Sequence, residues 1–330
     1  HVSQRIDQTA WRNAYLNELR RVASQTQGRV LNAVFFGGGT PSLMDPDTVA
    51  DIIAAIHQHW ATANDLEITL EANPGSIEAG RFAAYHQAGV NRISMGIQAL
   101  NDADLKRLGR IHTADEALRA FDVARNEFER VSFDLIYGRQ DQTVSDWRSE
   151  LKQALSLSLD HVSLYQLTVE NGTAFGDRYA RGKLRGLPDD DLSADLYTAT
   201  QELCETFGMP AYEVSNHAVD GAHSRHNLIY WRYGDYIGIG PGAHGRLTQG
   251  GQKWATECYS NPTRWLDGAT AGQTEKPRTA LNAKDQAAEF LLMGLRLRDG
   301  IDCKRYQQLS GVPLDTVPLR WRSCLTATTT

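Results

Sequence analysis

Short runs of β-branched and apolar residues recur along the chain at intervals of about 26 to 50 residues, each followed by a plausible helix. The runs fall at 33–36, 66–70, 92–97, 131–136, 162–167 and 211–214, and segments with helical periodicity fall at 47–60, 77–88, 115–128, 144–157 and 191–207. Glycine marks junctions, as at Gly89 and Gly208, where a left-handed residue can end a helix and turn the chain into the next strand. Alternation of this kind predicts a parallel sheet, because a helical crossover carries the chain back to the end where the last strand began. Six such units favour a full or partial α/β barrel over a doubly wound sheet.

One helix breaks the order. Trp11, Tyr15, Leu16, Leu19 and Val22 mark an amphipathic helix over 9–24 before any strand has appeared. In a β/α barrel a helix follows a strand, so the expectation is a partial barrel whose strand one and loop lie upstream of His1, leaving an open edge. After Tyr236 the rhythm stops. Residues 246–256, with Gly250-Gly251 at their centre, read as a hairpin, and 267–282 as a polar connector. Helices are expected at 283–297 and 304–309, and a poorly packed tail at 317–330. Two domains are therefore expected: a partial barrel over 1–245, then a hairpin, linker and incomplete helical domain over 246–330.

Composition limits the partners. The chain has 330 residues, with 34 Lys and Arg against 40 Asp and Glu, a formal charge of −6. That balance weighs against nucleic acid or an anionic membrane as the main partner and favours a small molecule. No stretch approaches the roughly 18 apolar residues of a spanning helix. The first 25 residues are polar and unlike a signal peptide, so a cytoplasmic protein is expected. Cys204, Cys258, Cys303 and Cys324 are widely scattered and read as inert packing thiols; none shows the spacing of a metal site.

In α/β barrels the C-terminal strand ends build the site. Here they supply Gly37, Gly38, Gly39 and Thr40, then Glu71 and Asn73, then Gln98, Asp134 with Tyr137, Gln166 with Thr168, and Glu213, Ser215 and Asn216. The run Phe36-Gly37-Gly38-Gly39-Thr40-Pro41-Ser42 lacks the Lys of a phosphate loop. Its exposed carbonyls and the Thr40 hydroxyl suit an ammonium group, especially beside Glu71; a tight strand-to-helix turn is the alternative. A second cluster, Gly238-Ile239-Gly240-Pro241-Gly242-Ala243-His244-Gly245, matches G-x-G-x-x-G formally. It is not a dinucleotide fingerprint, since Pro241 intrudes and no helix follows, which leaves close approach to a ligand or to the barrel floor. His217, His223 and His226 could bind zinc or haem iron, or be ordinary loop histidines.

Six motifs in order resemble one family: Gly37-Gly38-Gly39-Thr40-Pro41-Ser42, Leu70-Glu71-Ala72-Asn73-Pro74, Ser94-Met95-Gly96-Ile97-Gln98, Leu108-Gly109-Arg110-Ile111-His112, Phe133-Asp134-Leu135-Ile136-Tyr137-Gly138 and His226-Asn227-Leu228-Ile229-Tyr230-Trp231. The chain is similar, over about residues 1–313, to the radical S-adenosylmethionine (SAM) proteins of the oxygen-independent coproporphyrinogen III oxidase type, in particular the HemW haem chaperones. The resemblance implies that Gly38, Gly39 and Thr40 grip the SAM amino group with Glu71 beside them. It places Gln98, Arg110 and Asp134 around the SAM ribose and carboxylate, and makes His226 the candidate haem ligand.

It also implies SAM, a 4Fe–4S cluster and haem as cofactors or cargo, and haem, a porphyrin or a haem-acceptor protein as partners. That cluster needs three closely spaced cysteines after the first strand, and the first cysteine here is Cys204. The expectation is thus a truncated chain, inactive in radical chemistry, whose parent handles haem. The other readings are a parent that decarboxylates coproporphyrinogen III, and a haem-binding module without catalysis.

Overall fold

The computed structural model describes residues 6–314 apart from 77–78, 158, 170–171, 173 and 183. The expected tail at 317–330, Cys324 and the first two residues of the helix expected at 77–88 lie outside the described residues. Helix α1 (Gln8–Gln25) comes first, capped by the Asp7 side chain. Then come β1 (Val30–Phe36), α2 (Pro46–His59), β2 (Ala61–Ala72), α3 (Ala79–Ala88) and β3 (Arg92–Gln98). They are followed by α4 (Asp102–Arg107), α5 (Ala114–Glu127), β4 (Arg130–Tyr137), α6 (Val144–Leu155), β5 (His161–Gln166), α7 (Ala174–Ala180) and α8 (Asp190–Thr206). The junctions carry their own stop and start signals. Thr113 with Glu116, and Thr143 with Asp146, form reciprocal caps that begin α5 and α6.

Strands β1 to β5 pair in sequence order, all parallel. The sixth run departs from expectation. It forms β6 (Ala211–Glu213), which turns through two residues into β7 (Asn216–Ala218), and β7 lies antiparallel between β5 and β6. A two-residue link can join only antiparallel neighbours, so the turn, not a helix, sets the pairing. After two reversals β6 again points the same way as β1 to β5. The result is a curled half-barrel of seven strands, ordered β1-β2-β3-β4-β5-β7-β6.

Strand alternation splits this sheet into two chemistries. Leu70, Ile93, Met95, Ile97, Phe133, Leu135, Val162 and Leu164 face the helices and bury against Phe82, Tyr85, Phe121, Trp147 and Leu151. Each such side chain contributes roughly 1.5–3 kcal/mol by leaving water. The intervening residues line the concave face and are polar. Glu67, Arg92, Arg130 and His161 form a floor; Ser94, Ser132 and Ser163 form a belt above it; Glu71, Asp134 and Tyr165 stand at the mouth.

Helix α9 (Arg225–Trp231) packs against β1. The hairpin is present as β8 (His244–Gln249) and β9 (Gln252–Glu257), with Gly250 and Gly251 at φ 57° and 79° in the two turn positions that require it. The polar connector expected over 267–282 is corrected in part. Its first residues end α10 (Pro262–Ala271), which buries Trp265 completely against Trp11 and Tyr15 of α1, and β10 (Thr279–Ala280) pairs with β9. Trp265 and Ala269 are the buried residues of α10, a stripe too narrow to read as a period. Helices α11 (Ala283–Gly294) and α12 (Cys303–Ser310) end the described chain. The second glycine cluster serves the chain's own packing: a Cβ on Gly238 would strike the His244 carbonyl, and one on Gly245 would strike Thr256 and Tyr236.

Candidate functional site

At the mouth, β1 ends in glycines for a conformational reason. Gly38 and Gly39 hold φ of 79° and 56°, and a Cβ on either would meet nothing within 4 Å, so these glycines satisfy a backbone turn while keeping the space in front of them open. The Gly38 amide donates to Oε2 of Glu71 at 3.1 Å, which ties the β1 loop to the end of β2. Burial raises the Glu71 carboxyl, partly countered by that amide. Thr40 precedes the 3-10 turn Pro41–Leu43, and its side chain makes no capping bond there.

On the next strand Gln98 adopts φ 77°, a left-handed conformation uncommon for a residue with a side chain. Gly96 makes the room: a Cβ there would lie 3.1 Å from Nε2 of Gln98. Asp134 on β4 is pushed up to about 6, by burial first and by the Glu71 charge as well, against hydrogen bonds from Ser163 and Ser94. Arg110 arrives on the loop after α4, its backbone anchored by a 2.8 Å bond to the Leu105 carbonyl. Its guanidinium is half-buried within electrostatic reach of Asp134, and burial lowers its pKa. Among the described residues it makes no ion pair or side-chain hydrogen bond. A desolvated guanidinium without a partner suits a carboxylate ligand.

The structure thus gathers Gly38, Gly39, Thr40, Glu71, Gln98, Arg110 and Asp134 into one arc across four adjacent strands. Other strand-end residues go elsewhere. Tyr137 stacks on Trp147 in the helix-facing core at 5.1 Å, and Glu213 is buried against Arg296 and Asn216. Sequence reasoning missed Tyr165, which shares the concave face with Ser163 and lies close enough to Asp134 to interact with it electrostatically. Counting in twos along β5 from His161 through Ser163 reaches it.

His226 lies apart, on α9. It is 9% exposed, its ring stacks on Phe35 at 4.0 Å, and it forms part of the wall of a cleft of about 400 Å³ along β1. Gly38, Thr40, Tyr230 and Tyr236 line the same cleft. Burial lowers the His226 pKa, opposed by its contact with Glu67. The three histidines do not converge: His217 is fully buried, and His223 stacks on Tyr212 at 4.5 Å. Among the described residues no group of three or more His, Cys, Asp or Glu could hold a metal ion.

A profile of the Radical SAM superfamily matches residues 5–154, and one of the HemN C-terminal domain matches 281–318. The chain is 40% identical to the mouse radical S-adenosyl methionine domain-containing protein 1, mitochondrial, over 93% of this chain and 71% of that one. It is 38% identical to heme chaperone HemW of Escherichia coli (92% and 78% covered) and 33% identical to that of Bacillus subtilis (95% and 82% covered). In fold it matches the coproporphyrinogen III oxidase HemN of E. coli with a TM-score of 0.76 at 20% identity, over 94% of this chain and 74% of that one.

Profile, relatives and fold define the class: a radical SAM protein on a half-barrel of the HemN kind. Within that class the chain belongs to the HemW family, alongside the mitochondrial domain-containing relatives.

The family implies SAM and a 4Fe–4S cluster, and the two fare differently here. The arc fits SAM: an open glycine turn beside a carboxylate for its ammonium, and an unpartnered arginine for its carboxylate. Among the described residues no thiolate for the cluster stands at this site: Cys204 and Cys258 are buried elsewhere and Cys303 is exposed at the start of α12.

Proposed function

We propose that the chain binds SAM at the mouth of the half-barrel and haem in the cleft beneath it, and serves haem handling of the HemW kind. Arg110 carries the reading, because a half-buried guanidinium near Asp134 that makes no ion pair or side-chain hydrogen bond among the described residues is suited to completion by a ligand anion. Glu71 and the carbonyls of the glycine turn take the ammonium end, while Gln98 and Asp134 supply acceptors and donors for ribose hydroxyls. Bound together, SAM and a reduced cluster supply radical chemistry in this superfamily; the residues here bind and orient the amino acid end. His226 offers a neutral imidazole to haem iron, and the reading of two neighbouring ligands is supported by Gly38 and Thr40 lining the same cleft as His226.

Calorimetric titration with SAM tests the arc. Arg110→Ala and Glu71→Ala are each expected to weaken binding roughly 10- to 100-fold, the worth of one charged hydrogen-bonding group; unchanged affinity in both would sink the assignment. Titration with hemin tests the second site. His226→Ala should remove the histidine-ligated spectrum, and an unaltered spectrum removes His226 as ligand.

No helix among the described residues is long and apolar enough to cross a membrane. A haem-acceptor protein as partner, a cytoplasmic location and a domain division at residues 245 and 246 belong to the same reading; a second sheet starts close to that division, its first strand β8 (His244–Gln249) running across it.

A further inference from the structure

The imidazole of His226 has two nitrogens, and the fold has committed one of them. Nδ1 lies 2.9 Å from the hydroxyl of Ser224, which is fully buried, and 3.6 Å from Oε1 of Glu67. Glu67 sits on the concave face of β2, 3% exposed, where it accepts from the Arg225 amide at 3.0 Å and from Nη1 of Arg130 at 2.9 Å. Its two oxygens thus each accept from a donor, one of them the charged guanidinium of Arg130, and Oε1 is the one nearest His226.

A hydrogen on Nδ1 suits both neighbours at once, donating to the Ser224 hydroxyl with the Glu67 carboxylate just beyond, and that tautomer leaves the lone pair on Nε2. No hydrogen bond among the described residues uses Nε2. Phe35 fixes the plane of the ring by stacking, and the ring borders the cleft.

We propose that Glu67 and Ser224 are positioning residues for His226: they fix its tautomer, hold its edge, and raise the basicity of Nε2 toward an iron porphyrin. This rests on the reading of His226 as a haem ligand and extends it to the groups behind the ligand. A buried carboxylate in mid-strand is costly on its own account, and here its charge is aimed at the one imidazole that borders the cleft. The arrangement is that of a ligating histidine whose far nitrogen donates to a carboxylate or hydroxyl, which strengthens the metal bond.

Hemin titration and redox potentiometry of the whole chain test this with four variants. Ser224→Ala is expected to lower hemin affinity roughly 10- to 100-fold while histidine ligation persists. Ser224→Thr, which keeps the hydroxyl, should restore it. Glu67→Gln should move the haem reduction potential to more positive values, because a less basic imidazole stabilises ferric iron less. Folded Ser224→Ala and Glu67→Gln proteins with the parent's affinity and potential would overturn the proposal. If Glu67→Gln does not fold, Ser224→Ala and its threonine rescue decide alone. His226→Ala separates the two levels: if it leaves hemin binding unchanged, the ligand reading itself falls, and if it abolishes ligation while the others are silent, only the positioning role falls.

Discussion

At the scale of single residues, the polar groups inside this protein divide by what they face. His217 shares a register position with Val162, so its ring enters the helix-facing core, and neither of its nitrogens has a partner among the described residues. Burial pushes it down to about 4 from 6.5. Its neutral form is thus favoured by folding, and the stability it contributes is complete above 6.5 and lost as pH falls toward 4. The loss is about 3 kcal/mol at the acid end of that window. Asp134 works in the opposite sense, since a raised carboxyl gives stability below its unfolded value that disappears as pH rises through about 6. Urea unfolding of His217→Leu at a series of pH values should therefore show a flatter dependence between pH 4 and 6.5 than the parent; parallel curves would refute the assignment. Burial of a histidine in a short antiparallel strand is invisible in sequence, where His217 reads as one of three loop histidines, ligands or not.

At the scale of elements, what could be read depended on how wide an apolar stripe the element carries. Helix α2 buries Val49, Ile52, Ile53 and Ile56, and its period was plain. Helix α10 buries Trp265 and Ala269, and its second half passed for a connector. Its stability comes from one large side chain stacked on another helix, with a Pro at its first turn and Gly272 in left-handed conformation at its end. Trp265→Ala is expected to cost about 3–5 kcal/mol, seen as a lower urea midpoint with little change in SAM affinity. A loss under 1 kcal/mol would mean that α10 is held by something else.

At the scale of the whole molecule, the half-barrel and the last helices are joined by a buried charge pair. Glu213 on β6 is 1% exposed and receives Nε and Nη2 of Arg296, just past α11, at 3.1 and 3.0 Å; Arg296 in turn lies over the Trp231 ring at 4.4 Å. Arg296→Ala leaves the Glu213 charge buried with only the neutral donors of Ser215 and Asn216, with an expected loss of about 3–5 kcal/mol. The double variant with Glu213→Gln should recover part of it, measured by urea unfolding. If the single variant is as stable as the parent, the pair does not join the two parts.

The alternation of strand and helix, the polar strand ends and the glycine turn were determined by sequence alone, because period, capping residues and backbone freedom are local properties that the chain carries wherever it folds. The arc from Gly38 to Asp134 was legible for the same reason, since parallel strands in order bring successive ends together. Tertiary structure alone decided that β7 intervenes between β5 and β6, that Trp265 anchors a helix to α1, and that Glu67 and Ser224 stand behind His226. Those contacts join residues far apart in the chain, and their energies exist only once packing has excluded water from both partners at the same time.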